Sequence, residues 1–527
     1  MGVGGLGPAW DSHMFRRLLR SISAIFAGQF LNIAGNLFLV PLFLSRWSAG
    51  EYGEWMALSA VVAYFGVTDL GVNSAGGNAM TAAYARGDMS KYRRVQCSAM
   101  AFYVGMALSV SLLFGILLVL LPMPAWIGVH HISPVVAAWV TWLLASRLLW
   151  QMPAAQLGSI YRTTGNLAAM QWFGNLQSIG LVAVTASVLL LDGGVLHLAL
   201  WGAAPMIAVT AGVWFSLGHS HPELLPSLSG ARIAGIRELM NPSLLFGLIM
   251  LSMALTIQGP VVLVSMILGG TAVASLVTTR TLANLVRQLV APVTTALWPE
   301  LTRLDAVGAG PALRLAHRLL LVGSVAMSAA FAGALWFEGA SVMAVWTRGK
   351  LPVDVWLLRL FLLAVVLQSP WSASSVFAAA NNRHRRLARS YFLSAGLTMV
   401  AIALLIRPYG LLAVPLGAIL GESLACYHFV VKDVCGVLGE EYGRFAVWLW
   451  CAVVAISCAA WGAGYLVHSV AVGPAPLRWL QVGVVTTLAA ASAAWRLALR
   501  RDDRSHLARW GAAHWSGTRL GGAEARA

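Results

Sequence analysis

Residues 21–44 read SISAIFAGQFLNIAGNLFLVPLFL, twenty-four residues without a single charge. A helix crosses the hydrocarbon core of a bilayer with about 20 apolar residues, so this stretch spans a membrane by itself. It is also longer than the core of a cleavable signal peptide. Stretches of the same kind recur as far as Leu499, separated by short charged segments. Only 10% of the 527 residues are charged and 59% are hydrophobic, with a mean hydropathy of +0.76. A soluble globular domain carries about 25% charged residues because its surface faces water. Most of this chain's surface must face something else, which excludes a soluble enzyme held by one anchor. The expected class is an all-α polytopic membrane protein.

Fourteen spans follow, at about 21–44, 53–76, 95–121, 134–157, 167–191, 195–217, 241–266, 271–298, 317–337, 355–380, 390–407, 410–434, 445–469 and 478–499. The close pairs turn at Asp192-Gly193-Gly194 and Arg407-Pro408-Tyr409-Gly410. With the N-terminus inside, twenty-six Lys and Arg fall in inner segments, six fall in outer ones, and Arg147, Arg280 and Arg287 lie within spans. Cytoplasmic loops concentrate Lys and Arg, so both termini are expected in the cytoplasm. The net charge of +16 therefore has a membrane origin and does not point to a nucleic-acid partner.

A repeat of about 217 residues runs through the chain. Gln151-Met152-Pro153 in the fourth span and Gln368-Ser369-Pro370 in the tenth are 217 apart, and a polar basic segment follows each. The sixth and twelfth spans end near Leu217 and Val434, again 217 apart. The expected plan is therefore six helices, six helices and two more. Its parts are an N-terminal segment 1–20, a lobe 21–217, a linker 218–240, a lobe 241–435, two added helices over 445–499 and a basic tail 500–527. Both lobes begin on the same side, so their axis runs along the membrane normal.

Ionisable groups inside a bilayer are expensive and need a partner or a watery cavity. Arg280, Asn284 and Arg287 are spaced i, i+4, i+7, on one helical face and deep in the eighth span. Arg147 sits near the middle of the fourth span, and Gln29, Asn32 and Asn36 form a polar stripe on the first. Arginine presents a planar fork of donors and keeps its proton, so a cavity lined by Arg280, Arg287, Asn284, Arg147, Asn32 and Asn36 suits a phosphorylated anion. The alternative is internal pairing with Asp69, Glu300, Glu338 or Glu422. Asp69 and Glu422 are the candidates for ion coupling, while Asp69 also reads as a helix-end cap.

Nothing in the sequence calls for a metal or a cofactor. The cysteines at 97, 426, 435, 451 and 458 lack paired spacing, and His130-His131 stands without further ligands in a short outer loop. No G-x-x-x-x-G-K-[ST] loop provides an ATP site. The twenty-two Trp suit the membrane interface, and the arginine-rich tail suits anionic lipid.

Tyr52-Gly53-Glu54-Trp55, Tyr64-Phe65, Asp69-Leu70-Gly71, Asn78, Met80, Thr81 and Arg86-Gly87-Asp88 resemble the second-helix region of a known family. That family is the lipid-linked oligosaccharide flippases of bacteria, which move O-antigen and exopolysaccharide repeat units and share a superfamily with the multidrug and toxin extrusion (MATE) transporters. The run from Arg280 to Ala296-Leu297-Trp298-Pro299-Glu300-Leu301 is similar to the corresponding helix of that family. By architecture the resemblance covers nearly the whole chain, and by motif only these two regions.

The resemblance implies a MATE-like fold of two lobes rocking about a central cavity in the bacterial inner membrane. It implies transfer of an undecaprenyl-pyrophosphate-linked repeat unit from the cytoplasmic to the periplasmic leaflet, often driven by an ion gradient. The implied partners are the polyprenyl-pyrophosphate-linked oligosaccharide and membrane lipid, and a polysaccharide polymerase or export complex stays open. Two alternatives remain. A multidrug exporter of the same superfamily would prefer an acidic cavity for cationic drugs. A polysaccharide polymerase or ligase would be expected to carry a larger outer loop than the longest here, about 338–355.

Overall fold

The structure is a computed structural model that describes residues 12–69, 72–226, 233–306, 310–380, 384–499 and 504. Most of the N-terminal segment, residues 227–232 of the expected linker and most of the basic tail lie outside these residues. Among the described residues all regular structure is helical. The chain opens with α1 (Ser12–Arg46), α2 (Ala49–Ala63), a 3-10 turn (Tyr64–Asp69), α3 (Val72–Ala85), α4 (Met89–Leu120), α5 (Met123–Trp126) and α6 (Pro134–Thr163). It continues through α7 (Leu167–Leu190), α8 (Val195–Trp201), α9 (Ala204–Ser220), α10 (Ile233–Leu268), α11 (Gly270–Ala306), α12 (Gly310–Trp346) and α13 (Val355–Ala380). It closes with α14 (His384–Tyr409), α15 (Ala413–Gly421), a π-helical segment (Glu422–Tyr427), α16 (His428–Leu438), α17 (Tyr442–Val470) and α18 (Ala475–Ala493).

Ten helical runs among the described residues are long and apolar enough to cross a membrane. One of them, Arg386–Leu438, is 53 residues long and holds two of the fourteen expected spans. The spans at 53–76, 271–298 and 478–499 are not among the ten, for different reasons. The first is broken: α2 gives way to a 3-10 turn, where the Thr68 hydroxyl donates to the Phe65 carbonyl at 2.6 Å. The second is one helix, α11, that carries Arg280 and Arg287. The third, α18, is long enough at 19 residues, but Arg478, Gln481, Thr486 and Thr487 lower its hydropathy. Large apolar side chains cover the outside, Val119 at 86% exposed among them, as a lipid-facing wall requires.

Packing divides the chain into two compact units, Met1–Thr278 with Trp346–Leu351, and Thr279–Val345 with Pro352–Ala527. The division differs from lobes of 21–217 and 241–435, because α10 packs with α2, α3 and α4. The start of α11 also lies close against α2, at small residues: a Cβ on Gly53 would overlap the carbonyl oxygen of Gly270, and one on Gly270 would meet Gly50 O at 2.8 Å and Glu54 Cγ at 2.9 Å. The helix offsets nonetheless keep the repeat distance. α9 and α16 end at 220 and 438, which is 218 apart. Pro153 lies inside α6 and Pro370 inside α13.

Loop residues start the helices as their chemistry predicts. Ser48 and Glu51 form a reciprocal capping box at α2, with Ser48 Oγ accepting from Glu51 N at 3.1 Å. Asp88 caps α4, accepting from Lys91 N at 2.9 Å and Ser90 Oγ at 2.8 Å. Those bonds hold the Asp88 carboxyl below the usual carboxylate range.

Candidate functional site

The second unit contains the polar stripe of α11. Arg280 and Asn284 are half-buried and Arg287 is exposed, one turn apart along the same face. The two arginines repel one another electrostatically. Within electrostatic reach of Arg287 is the buried carboxylate of Glu422, the first residue of the π-helical segment. Two neutral donors hold that carboxylate: Gln368 Nε2 at 3.1 Å and Trp371 Nε1 at 3.2 Å. They flank Pro370 on α13, so the second Q-x-P motif places both donors on one acid. The Trp371 ring stands edge-on to Tyr391, with centroids 5.6 Å apart. π-helical turns inside α-helices are frequent at functional sites because they displace one side chain from the regular ladder.

The arrangement has a definite chemistry. Two fixed cations share the stripe, and Glu422 sets a negative charge near Arg287 when it is ionised. An anion arriving at Arg287 must compete with Glu422, so proton binding and anion binding favour each other.

The first unit treats its polar residues differently. Arg147 Nη1 donates to the Gly202 carbonyl at 3.3 Å, at the break between α8 and α9. This contact gives the arginine a use in holding an unsatisfied helix-end carbonyl. Asn32 and Asn36 are exposed. They lie about a quarter turn round α1 from the face carrying Ala24 and Gly28, which packs on α7 through the bond from Asn175 Nδ2 to Ala24 O, 2.9 Å. Asp69 ends the 3-10 turn, where it accepts a short bond from the Tyr103 hydroxyl of α4 and a longer one, 3.4 Å, from Asn73 N at the start of α3. No hydrogen bond or ion pair joins Arg147, Asn32, Asn36 and Asp69 to one another among the described residues.

Of the four acids that could neutralise a deep arginine, Glu422 therefore lies within electrostatic reach of one, Arg287. Glu338 pairs instead with His468 Nδ1 at 2.8 Å and Arg478 at 3.8 Å, and the side chain of Glu300 lies outside the described residues. Glu54, in the Tyr52-Gly53-Glu54-Trp55 segment of α2, is fully buried. It accepts from His130 N at 2.6 Å, His131 N at 2.8 Å and Ile132 N at 2.9 Å, and contacts His131 Nδ1 at 2.8 Å. The signal was present, an acid in an apolar run with a His-His loop downstream, but only the fold joins them. No group of three His, Cys, Asp or Glu among the described residues comes together to hold a metal.

No protein-family model and no curated protein matches this sequence. Solved structures do match by fold. The lipid II flippase MurJ in an inward closed conformation superposes with a TM-score of 0.69 at 14% identity, covering 92% of this chain and all of that one. An inward-facing multidrug resistance MATE family transporter of the MOP superfamily gives 0.64 at 13% identity, covering 77% and 95%. A MATE structure in complex with MaD3S gives 0.55 at 14%, covering 80% and 97%. The likeness is one of fold. It makes this chain an all-α polytopic membrane protein with the architecture of MATE transporters and MurJ. The matches also differ in extent. Residues 1–435 are about 83% of the 527, so a likeness covering 92% must reach into the region of α17 and α18, whereas coverage of 77–80% need not.

Proposed function

We propose that this chain is a flippase of the bacterial inner membrane. It carries an undecaprenyl-pyrophosphate-linked oligosaccharide repeat unit from the cytoplasmic to the periplasmic leaflet by alternating access, for surface polysaccharide synthesis. The observation that carries the reading is the cationic stripe Arg280–Asn284–Arg287, with the buried acid Glu422 within electrostatic reach of Arg287. A pyrophosphate provides the oxygens that two guanidinium groups bind best. Arg147, Asn32 and Asn36 are proposed as further contacts to the cargo. The reach of the MurJ likeness into α17 and α18 supports a lipid-linked cargo, since MurJ is a lipid II flippase.

Coupling follows from the same residues. Protonation of Glu422 leaves Arg287 to the pyrophosphate, and deprotonation restores the pair and releases the cargo. Asp69 is the second coupling candidate, although its bonds to Tyr103 and Asn73 give it a structural use as well.

Replacing Arg280 and Arg287 with alanine removes two charge-assisted contacts, which should weaken transport by about a hundredfold or more. The measurement is the lipid-linked oligosaccharide pool of a strain carrying only that variant. Repeat units should accumulate on the cytoplasmic face while the protein stays in the membrane. A normal pool with normal surface polysaccharide overturns the assignment. Single units accumulating on the periplasmic face would instead indicate a polymerase.

A second reading, an ion-coupled multidrug exporter, is supported by the MATE likeness. It predicts altered drug susceptibility on deletion with an unchanged lipid-linked pool, the reverse of the flippase pattern.

A further inference from the structure

Within the second unit, the start of α14 and the end of α16 lie side by side, and a cleft of about 660 Å³ opens between them. Its walls follow helical spacing. α14 contributes Arg386, Arg389 and Leu393, and α16 contributes Phe429, Lys432 and Asp433. The charged residues sit at the ends of the 53-residue run Arg386–Leu438, and the apolar ones lie deeper. Leu393 is seven residues beyond Arg386, about 10 Å along the helix, and Phe429 is three residues inward from Lys432, about 4.5 Å. Both apolar side chains are exposed, Leu393 at 46% and Phe429 at 49%.

The charge does not cancel. Asp433 pairs with Arg386, while Arg389 and Lys432 are exposed and have no ion-pair partner among the described residues. Two positive charges thus stand at the rim, at the end that the Lys/Arg distribution places in the cytoplasm. Below them are apolar walls that an aqueous anion cannot use.

The chain contains its own comparison. About 217 residues earlier, the first unit has a cleft of about 550 Å³ lined by Ala169, Phe173 and Ser216, in the positions of Arg386, Ser390 and Asp433. Trp172 and Phe215 stand at the positions of Arg389 and Lys432. Helix packing accounts for a cleft in both places but for cations in only one, so the cations call for a separate explanation.

We infer that the α14–α16 cleft binds one anionic phospholipid, with its phosphate on Arg389 and Lys432 and its acyl chains along Leu393 and Phe429. Basic pockets between helices on the cytoplasmic side have the chemistry to hold such headgroups.

The test is native mass spectrometry of the full-length protein in detergent, titrated with phosphatidylglycerol, with phosphatidylcholine and inorganic phosphate in parallel. R389Q/K432Q should weaken phosphatidylglycerol binding by about thirtyfold, because each basic side chain near an anionic headgroup contributes about fivefold. R86Q/R93Q, which removes the same charge from exposed positions elsewhere, should leave it unchanged. D433N frees Arg386 and should strengthen binding, a gain that misfolding cannot produce. Equal binding of phosphatidylcholine, an equal loss in R86Q/R93Q, or weaker binding in D433N overturns the inference. Displacement of the lipid by equimolar inorganic phosphate also overturns it, making the cleft a free-anion site.

Discussion

Two buried acids show at the scale of single residues what decides whether a charge in an apolar protein is structural or available for work. Glu54 is surrounded by donors that cannot leave: three are backbone N–H groups of consecutive residues and the fourth is His131. A carboxylate so held has no reason to change its protonation state during a transport cycle. Glu422 has two neutral side-chain donors and one cation, all on other helices, and each can be surrendered. E422Q keeps the volume and an acceptor but removes the charge that competes for Arg287. Cargo binding should persist in this variant, and the dependence of flipping rate on pH should flatten. Flipping assays in proteoliposomes across a pH series check this, and a wild-type pH profile in E422Q would eliminate Glu422 as the coupling group.

Elements are governed here by where helices are interrupted and how closely they approach. The 3-10 turn Tyr64–Asp69 and the π-helical segment Glu422–Tyr427 each break a helix beside a polar residue, and a hydropathy profile is blind to both. The contact between α2 and α11 depends on glycine at both crossing positions. G53A places a methyl group where the Gly270 carbonyl already lies. Because the obstacle is backbone, the cost should be at the upper end of the 1–3 kcal/mol typical of overpacking, or about that. A drop of several degrees in the melting temperature of detergent-purified protein is expected. Gly66, inside the 3-10 turn, has no atom within 4 Å of an added Cβ, so G66A should melt like the wild type. If the turn is a hinge, G66A slows transport without loss of stability, which separates conformational freedom from packing.

For the whole molecule, the two final helices are built into the second unit rather than added to it. His317 stacks on Phe445 at 5.8 Å, Arg318 pairs with Glu440, and Trp479 Nε1 donates to Ser341 Oγ at 3.2 Å. Glu338, whose side chain is 3% exposed, depends on His468 of α17 and Arg478 of α18 for its partners. Removing both in H468A/R478A strands a buried acid and should cost about 3–5 kcal/mol. Adding E338Q should recover much of that loss, since a neutral amide needs no counter-charge. Thermal unfolding of the double and triple variants checks this, and a triple variant less stable than the double would show that Glu338 does not owe its stability to these partners.

Membrane class and helical content were legible in the sequence, because apolar length and helical periodicity are local properties that need no knowledge of neighbours. So was the repeat distance of about 217, which the ends of α9 and α16 keep to within one residue. Partnership was not legible. That Glu422 lies within electrostatic reach of Arg287 and is held by Gln368 and Trp371, that Arg147 spends a donor on Gly202, and that Glu54 anchors a loop 76–78 residues away are outcomes of helix packing. The place where the chain divides, inside α11 between Thr278 and Thr279, is equally hidden, because no change in composition marks it. In a membrane almost every helix face is apolar, so hydropathy does not say which face meets which. Close approach at glycine and the pairing of rare charges decide it, and both depend on residues far apart in the chain.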